Sequence, residues 1–394
     1  MQNTIRNILI LATCQAFHTS VTSMGVAIGG LIGYELASDK SLATLPVSMA
    51  VVGVAISTIP SSMLMKRIGR RHGFIIGCLV GLLGALACAY SLMISSFWGL
   101  ALGTLLVGLF SGAAQLYRFA AADTAHESMR GKAISWVLAG GVVAGFIGPQ
   151  IAKWTRDLMN PYFIASYYAT ACLMVLSILF LLFLRIPPPS EDHSQGEERP
   201  LAVIIRQPDF MVAALSAMVG YAVMVLIMTG TPLAMVANNL HFNDAAFVIQ
   251  WHVVAMYLPS FFTGNLITRF GARTIILMGV LLNLGTIITA LSGINLFNFW
   301  LALVLLGVGW NFMFIGGSTM LTSTYNTCER PKTQALNDFI VFGSVALASL
   351  SSGQLLHYLG WNMVLISALP LVLLAGIATV WRGFKERPLV TEKA

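Results

Sequence analysis

Charged residues are the scarcest class in this sequence: Asp, Glu, Lys and Arg together make up 9% of its 394 residues. An average soluble domain carries roughly 25%, so this chain lacks the side chains for a water-facing shell, and a soluble fold is excluded. Cysteine is sparse as well. The five (Cys14, Cys78, Cys88, Cys172, Cys328) are scattered and show no C-x-x-C spacing, which excludes a disulfide framework and a zinc knuckle. Phosphate-cradling glycine loops, H-E-x-x-H helices and nucleophile–base pairs are also missing. Their absence argues against an enzyme, and no resident cofactor is expected.

What the chain has instead is hydrocarbon. Apolar residues make up 57% of it, and the mean hydropathy is +0.82. The apolar runs are about 20 residues long, the length an α-helix needs to cross a bilayer core. Strands of a transmembrane barrel would alternate over about 10 residues, and these runs do not alternate. The reading is an all-α membrane protein with 12 transmembrane helices at residues 8–34, 43–65, 74–95, 97–121, 133–152, 163–185, 210–235, 244–265, 275–293, 298–322, 336–356 and 362–381. With residue 1 placed inside, eighteen of the 22 Lys and Arg fall on the inner face. Lys40, Lys153 and Arg156 fall outside, and Arg118 lies within a span. This positive-inside pattern predicts that both termini are cytoplasmic. It also explains the net charge of +7 through the lipid bilayer, with no nucleic acid as partner. A monomer is expected.

The hydrophobic rhythm breaks once, at IPPPSEDHSQGEERPLAVIIR, residues 186–206. Three consecutive prolines end the sixth helix, so residues 1–185 and 207–394 read as two six-helix bundles joined by a cytoplasmic linker. The halves repeat. RIGRR after the second span (Arg67, Gly69, Arg70, Arg71) returns 202 residues later as RFGAR after the eighth (Arg269, Gly271, Arg273). Glycine permits a tight turn there, and arginine can reach helix C-terminal carbonyls and lipid phosphates. Basic turns of this form at matching places indicate a duplicated, pseudo-symmetric fold. With them the chain resembles the major facilitator superfamily, whose inner loop has the form G-x-x-x-D-R-x-G-R-R. Here Lys66 and Ser62 replace the usual Asp and Gly, and the second copy has Thr268 at the acidic position. The resemblance implies two bundles rocking about a central site. Gly145, Gly148 and Pro149 suit a closely packed, kinked fifth helix.

The fold does not name a cargo, so the polar and soft residues within the spans must indicate it. Met224 and Met228 in the seventh span are four apart, as are His252 and Met256 in the eighth, and residues at that spacing share a helix face. The two spans are joined by a short loop around 236–243, which suggests antiparallel neighbours with the four donors at similar depth. Thioethers suit Cu(I), and imidazole suits copper in either common state. A buried histidine is by default a functional hypothesis, although methionine is also ordinary packing in apolar helices. M-x-x-x-M followed by H-x-x-x-M resembles the CcoA-like copper importers of the same superfamily. That resemblance implies copper import across a bacterial inner membrane to supply cbb3-type cytochrome oxidase assembly, with copper as the transported substrate held by Met224, Met228, His252 and Met256. Copper carriers on either side are candidate partners.

Further candidates surround these four. Met235 and His241 could relay copper inward from the outer face, with Pro232 between them and the site. Cys14 and His18 are also four apart. His18, Arg118 and Asp123 are candidates for gating or coupling, with Asp338 and Glu35 as further titratable groups. The competing reading is a proton-coupled transporter of an organic solute or drug, with Gln115, Arg118 and Trp310 lining the pocket and the methionines as packing. A non-transporting membrane sensor is disfavoured because no soluble effector segment is evident.

Overall fold

The computed structural model describes residues 2–124, 130–186 and 199–385. Its regular elements there are helical: α1 (Gln2–Leu36), α2 (Leu45–Ile68), α3 (Arg70–Met93), α4 (Phe97–Ala114), α5 (Tyr117–Thr124), α6 (Arg130–Thr155), α7 (Ile164–Leu181), α8 (Leu201–Ile205), α9 (Pro208–Ala237), α10 (Phe242–Tyr257), α11 (Ser260–Phe270), α12 (Ala272–Leu291), α13 (Leu296–Thr322) and α14 (Arg330–Lys385). Short polar residues start several of them. The Ser96 side chain accepts from Gly99 N–H at 3.2 Å, and that of Asn295 accepts from Asn298 N–H at 3.0 Å, each satisfying a donor that a helix start leaves free.

Among the described residues, nine helices are long and apolar enough to cross a bilayer, or ten when α10 and α11, bent by 42°, count as one span. One of the nine covers 52 residues, far beyond the ~20 a single crossing needs. It turns at Gly360 (φ 78°, ψ 174°) inside α14 and so makes two passes. α6, at 26 residues, is long enough for another and packs along α1. The result is the multi-pass helical bundle read from the sequence, with the start of α1 and the end of α14 on one face.

Two spans are broken rather than continuous. The fourth divides at Gln115–Leu116 into α4 and α5, and the eighth at Leu258–Pro259 into α10 and α11. At the second break the cause is local. Pro259 has no N–H to continue the ladder, and the carbonyl of Met256 accepts from Asn311 Nδ2 of α13 at 2.7 Å.

The repeated basic turns take the same backbone form. Gly69 has φ 83° and ψ 155°, and Gly271 has φ 82° and ψ 150°. A Cβ at either would meet nothing within 4 Å, so glycine is needed there for its conformation and not for space. Glycine serves the fifth span differently. Cβ atoms at Gly148 and Gly145 would press on Ser20 and Ser23 of α1 and on Val253 and Val254 of α10, respectively, which is the close packing expected for that span.

The expected adjacency of the seventh and eighth spans holds only near their turn. α9 packs mainly against α13 and α14, whereas α10 packs against α13 and α6. The hydrophobic cores follow this grouping. One joins α9, α10, α12, α13 and α14, and two others join spans of the first half, with Phe242 reaching into one of them. Residues 187–198 of the connecting segment lie outside the described residues. Arg199, just past them, docks on Glu329 with Nε at 2.7 Å and a second nitrogen at 2.6 Å.

Candidate functional site

A cavity of about 190 Å³ lies between the two halves. Helices of both halves line it, so relative motion of the halves changes its shape. From the first half come Thr19, Thr22, Ser23 and Met24 of α1, Thr104 and Ser111 of α4, and Tyr167 and Thr170 of α7. The second half contributes Tyr221, Met224, Val225 and Met228 of α9, Ile249, Val253, Met256 and Tyr257 of α10, and Phe342 and Val345 of α14. The spacing explains these sets: Tyr221, Met224, Val225 and Met228 fall within about 100° on a helical wheel. Among the described residues the lining is apolar or hydroxylic, and no charged side chain belongs to it.

The second-half wall is aromatic. The Tyr221 ring meets Trp310 at 5.3 Å, Phe314 at 5.3 Å and Phe342 at 5.8 Å, each nearly edge-on. Trp310 stacks on Phe314 at 5.3 Å and 10°, and Tyr257 meets Trp310 at 6.2 Å. Such clusters hold their rings rigidly and present flat π-surfaces. Across the cavity Tyr257 shares a hydrogen bond with Thr19, whose hydroxyl also accepts from Gln15 Nε2 at 3.1 Å.

Three of the four residues proposed as copper ligands reach this cavity. Met224, Met228 and Met256 line it, and Met24 adds a fourth thioether from the opposite half. His252 is fully buried and turned toward α13, where Nδ1 donates to the Leu303 carbonyl at 2.7 Å. That bond fixes the tautomer and leaves Nε2 as a bare lone pair, which has no hydrogen-bond partner. On the helical wheel His252 sits about 40° from Met256, at the edge of the lining face.

The remaining candidates have other surroundings. Met235 is buried in the second-half core, away from the cavity. His241 is exposed and caps α10, its N–H donating to Asp244 Oδ2 at 3.0 Å. His18 is 3% exposed, with its ring edge-on to Phe110 at 5.6 Å and both nitrogens without a partner. Arg118 follows the α4–α5 break, its guanidinium 4.8 Å from the Phe119 ring. The side chain of Asp123 lies outside the described residues. Gln115 ends α4 without lining the cavity, and Trp310 backs the Tyr221 ring. In the inner-loop motif, Arg67 is exposed, Arg71 Nε is buried, Arg269 covers Phe270 at 5.2 Å and Arg273 pairs with Asp209 at 3.5 Å.

Sequence reasoning passed over Met24, Tyr221 and Tyr257. Met24 has no methionine at helical spacing to mark it, and the tyrosines read as ordinary span aromatics. The one available signal was that Tyr221 continues the Met224–Met228 face.

Comparison with known proteins fits this architecture. The model of the Major Facilitator Superfamily matches residues 8–258 and 214–394. A riboflavin transporter of Brucella anthropi, RfnT, is 42% identical over 382 residues, covering 96% of each chain. Two uncharacterized transporters of the same type from Bacillus subtilis are more distant. YddS is 27% identical over 95% of this chain and 90% of its own length, and YdeG is 28% identical over 91% and 88%. A duplicated helical bundle, a cavity between its halves and a family match across the chain lead to one assignment: this protein belongs to the Major Facilitator Superfamily.

Proposed function

We propose that this chain is a secondary transporter of a small organic solute, a planar heteroaromatic ring bearing hydroxyls, of the riboflavin class. The observation that carries this reading is the cavity wall. Rigid aromatic faces at Tyr221 and Tyr257 stand opposite hydroxyls at Thr19, Thr22, Ser23 and Thr170, with no charged side chain among the described lining residues. A flat ring gains from aromatic contact, and hydroxyls on a flexible chain find partners in the threonines and serines. The similarity to the riboflavin transporter of Brucella anthropi supports the same class. Alternating access exposes the cavity to each face in turn. A position in the bacterial inner membrane with both termini cytoplasmic belongs to this reading, and the distribution of Lys and Arg supports the orientation. The test is uptake of labelled riboflavin by cells that neither make it nor carry another importer. Expression of this chain should restore uptake and growth at low riboflavin, and absence of uptake with normal membrane levels would count against it.

A second reading, copper import, is favoured by one feature: four cavity thioethers beside a buried imidazole with a free Nε2. A carbonyl-oriented histidine is a common metal ligand, and thioethers suit Cu(I). Copper uptake that is lost in Met224→Leu and His252→Ala would establish this reading in place of the first.

A further inference from the structure

Two hydrogen bonds join the halves on the face opposite the start of α1. Gln150 Nε2 of α6 donates to Gln250 Oε1 of α10 at 2.9 Å. Ser48 of α2 and Ser349 of α14 pair through their hydroxyls, also at 2.9 Å. Because the Ser48 hydroxyl donates to the Thr44 carbonyl at 3.1 Å, Ser349 is the donor of the pair. Both serines are fully buried, and Gln250 is 8% exposed.

The two bonds are related by the internal duplication. Ser48 lies 21 residues before Gly69, and Gln250 lies 21 residues before Gly271. Their partners lie on corresponding helices, α6 and the first pass of α14: the same offset of 202 residues carries Gln150 to Ser352, about one turn from Ser349. The fold has thus placed a neutral polar pair at both copies of one interface, with different side chains in each. A glycine near each bond lets the helices approach: a Cβ at Gly353 would press on the Thr44 side chain, and one at Gly145 would lie 3.1 Å from Val254 Cγ2.

We infer that Gln150–Gln250 and Ser48–Ser349 are paired latches that hold this face of the transporter closed. Each bond spans the two moving bodies, so opening this face breaks both. Neither pair contains a titratable group. Duplication places them at matching interfaces, and removing one leaves the other in place.

The test does not depend on the cargo, so its outcome is separate from that of the proposed function. Ala50 lines the cavity beside Val51 and Val54, and Ala50→Cys reports exposure to a membrane-impermeant thiol reagent added at the face opposite the start of α1. Labelling of residue 50, read by peptide mass, should rise roughly 2- to 10-fold on Gln150→Ala or on Ser349→Ala, and further in the double variant. Unchanged labelling in the double variant would overturn the inference. If the alanine variants do not reach the membrane, Gln150→Cys with Gln250→Cys decides. Crosslinking that pair should stop labelling of residue 50, and reduction should restore it; equal labelling before and after reduction would overturn the inference.

Discussion

Asn311 holds Met256 at the cavity wall. Its Nδ2 donates to the Met256 carbonyl and to Ser260 Oγ, both at 2.7 Å, and its Oδ1 accepts from the Thr263 hydroxyl at 2.7 Å. One buried amide thus bridges the break at Pro259 and fixes the end of α10, where Met256 and Tyr257 face the cargo space. Asn311→Ala removes all three bonds and leaves a buried carbonyl unpaired, at a cost of about 1–3 kcal/mol. The expected outcome is a lower unfolding midpoint in detergent and slower transport, and an unchanged midpoint would show that the break is held by other contacts.

Gly69→Ala and Gly271→Ala should destabilise the protein by similar amounts. Each forces a side chain onto a left-handed backbone, at about 1–3 kcal/mol, while the added Cβ meets no neighbour within 4 Å. Thermal unfolding of the two variants side by side checks this. A large difference between them would mean that the duplicated turns are not energetically equivalent.

The Glu329 carboxyl is held far below the usual range, down to about 2, chiefly by its hydrogen bonds with the Arg199 guanidinium. A depressed carboxylate contributes stability that is fully present above its ordinary value and lost as pH falls through the lowered one. The dock between Arg199 and the α13–α14 connection should therefore persist through neutral and mildly acidic pH and fail only as pH falls from about 4 toward 2. The Arg199 and Asn326 N–H groups both donate to this carboxylate at 2.9 Å, so their hydrogen exchange reports its state. Both should be protected at pH 7 and lose that protection in Glu329→Ala.

Met224→Leu separates the two cargo readings. Leucine nearly conserves the volume, so an organic solute should see a change of less than about 1.5 kcal/mol, whereas a thioether ligand would be lost outright. Tyr221→Ala does the reverse. It removes the ring that joins Trp310, Phe314 and Phe342 and should raise the KM for a planar solute while leaving copper binding largely intact. Uptake of both cargoes by both variants checks the two expectations together.

Membrane class, helical architecture and duplication were legible in the sequence because each rests on a local signal: apolar run length, basic turns and glycine at matching places. Gly69 and Gly271, 202 residues apart, keep the same backbone conformation. Packing order was not legible. The short loop after α9 suggested that α9 and α10 pack side by side, but the bundle interleaves them with α13, α14 and α6. For the same reason the four-donor motif was only partly informative. Helical spacing placed Met224, Met228 and Met256 on cavity faces, but the direction of His252 depends on the Leu303 carbonyl, 51 residues away. The aromatic cluster around Tyr221 draws on three helices, and no periodicity within one helix could reveal it.

The most direct measurement is transport by the purified protein in proteoliposomes, with labelled riboflavin and copper supplied in parallel. The account predicts saturable riboflavin uptake that survives Met224→Leu and is impaired by Tyr221→Ala. Copper uptake abolished by Met224→Leu, with no riboflavin movement, would contradict it.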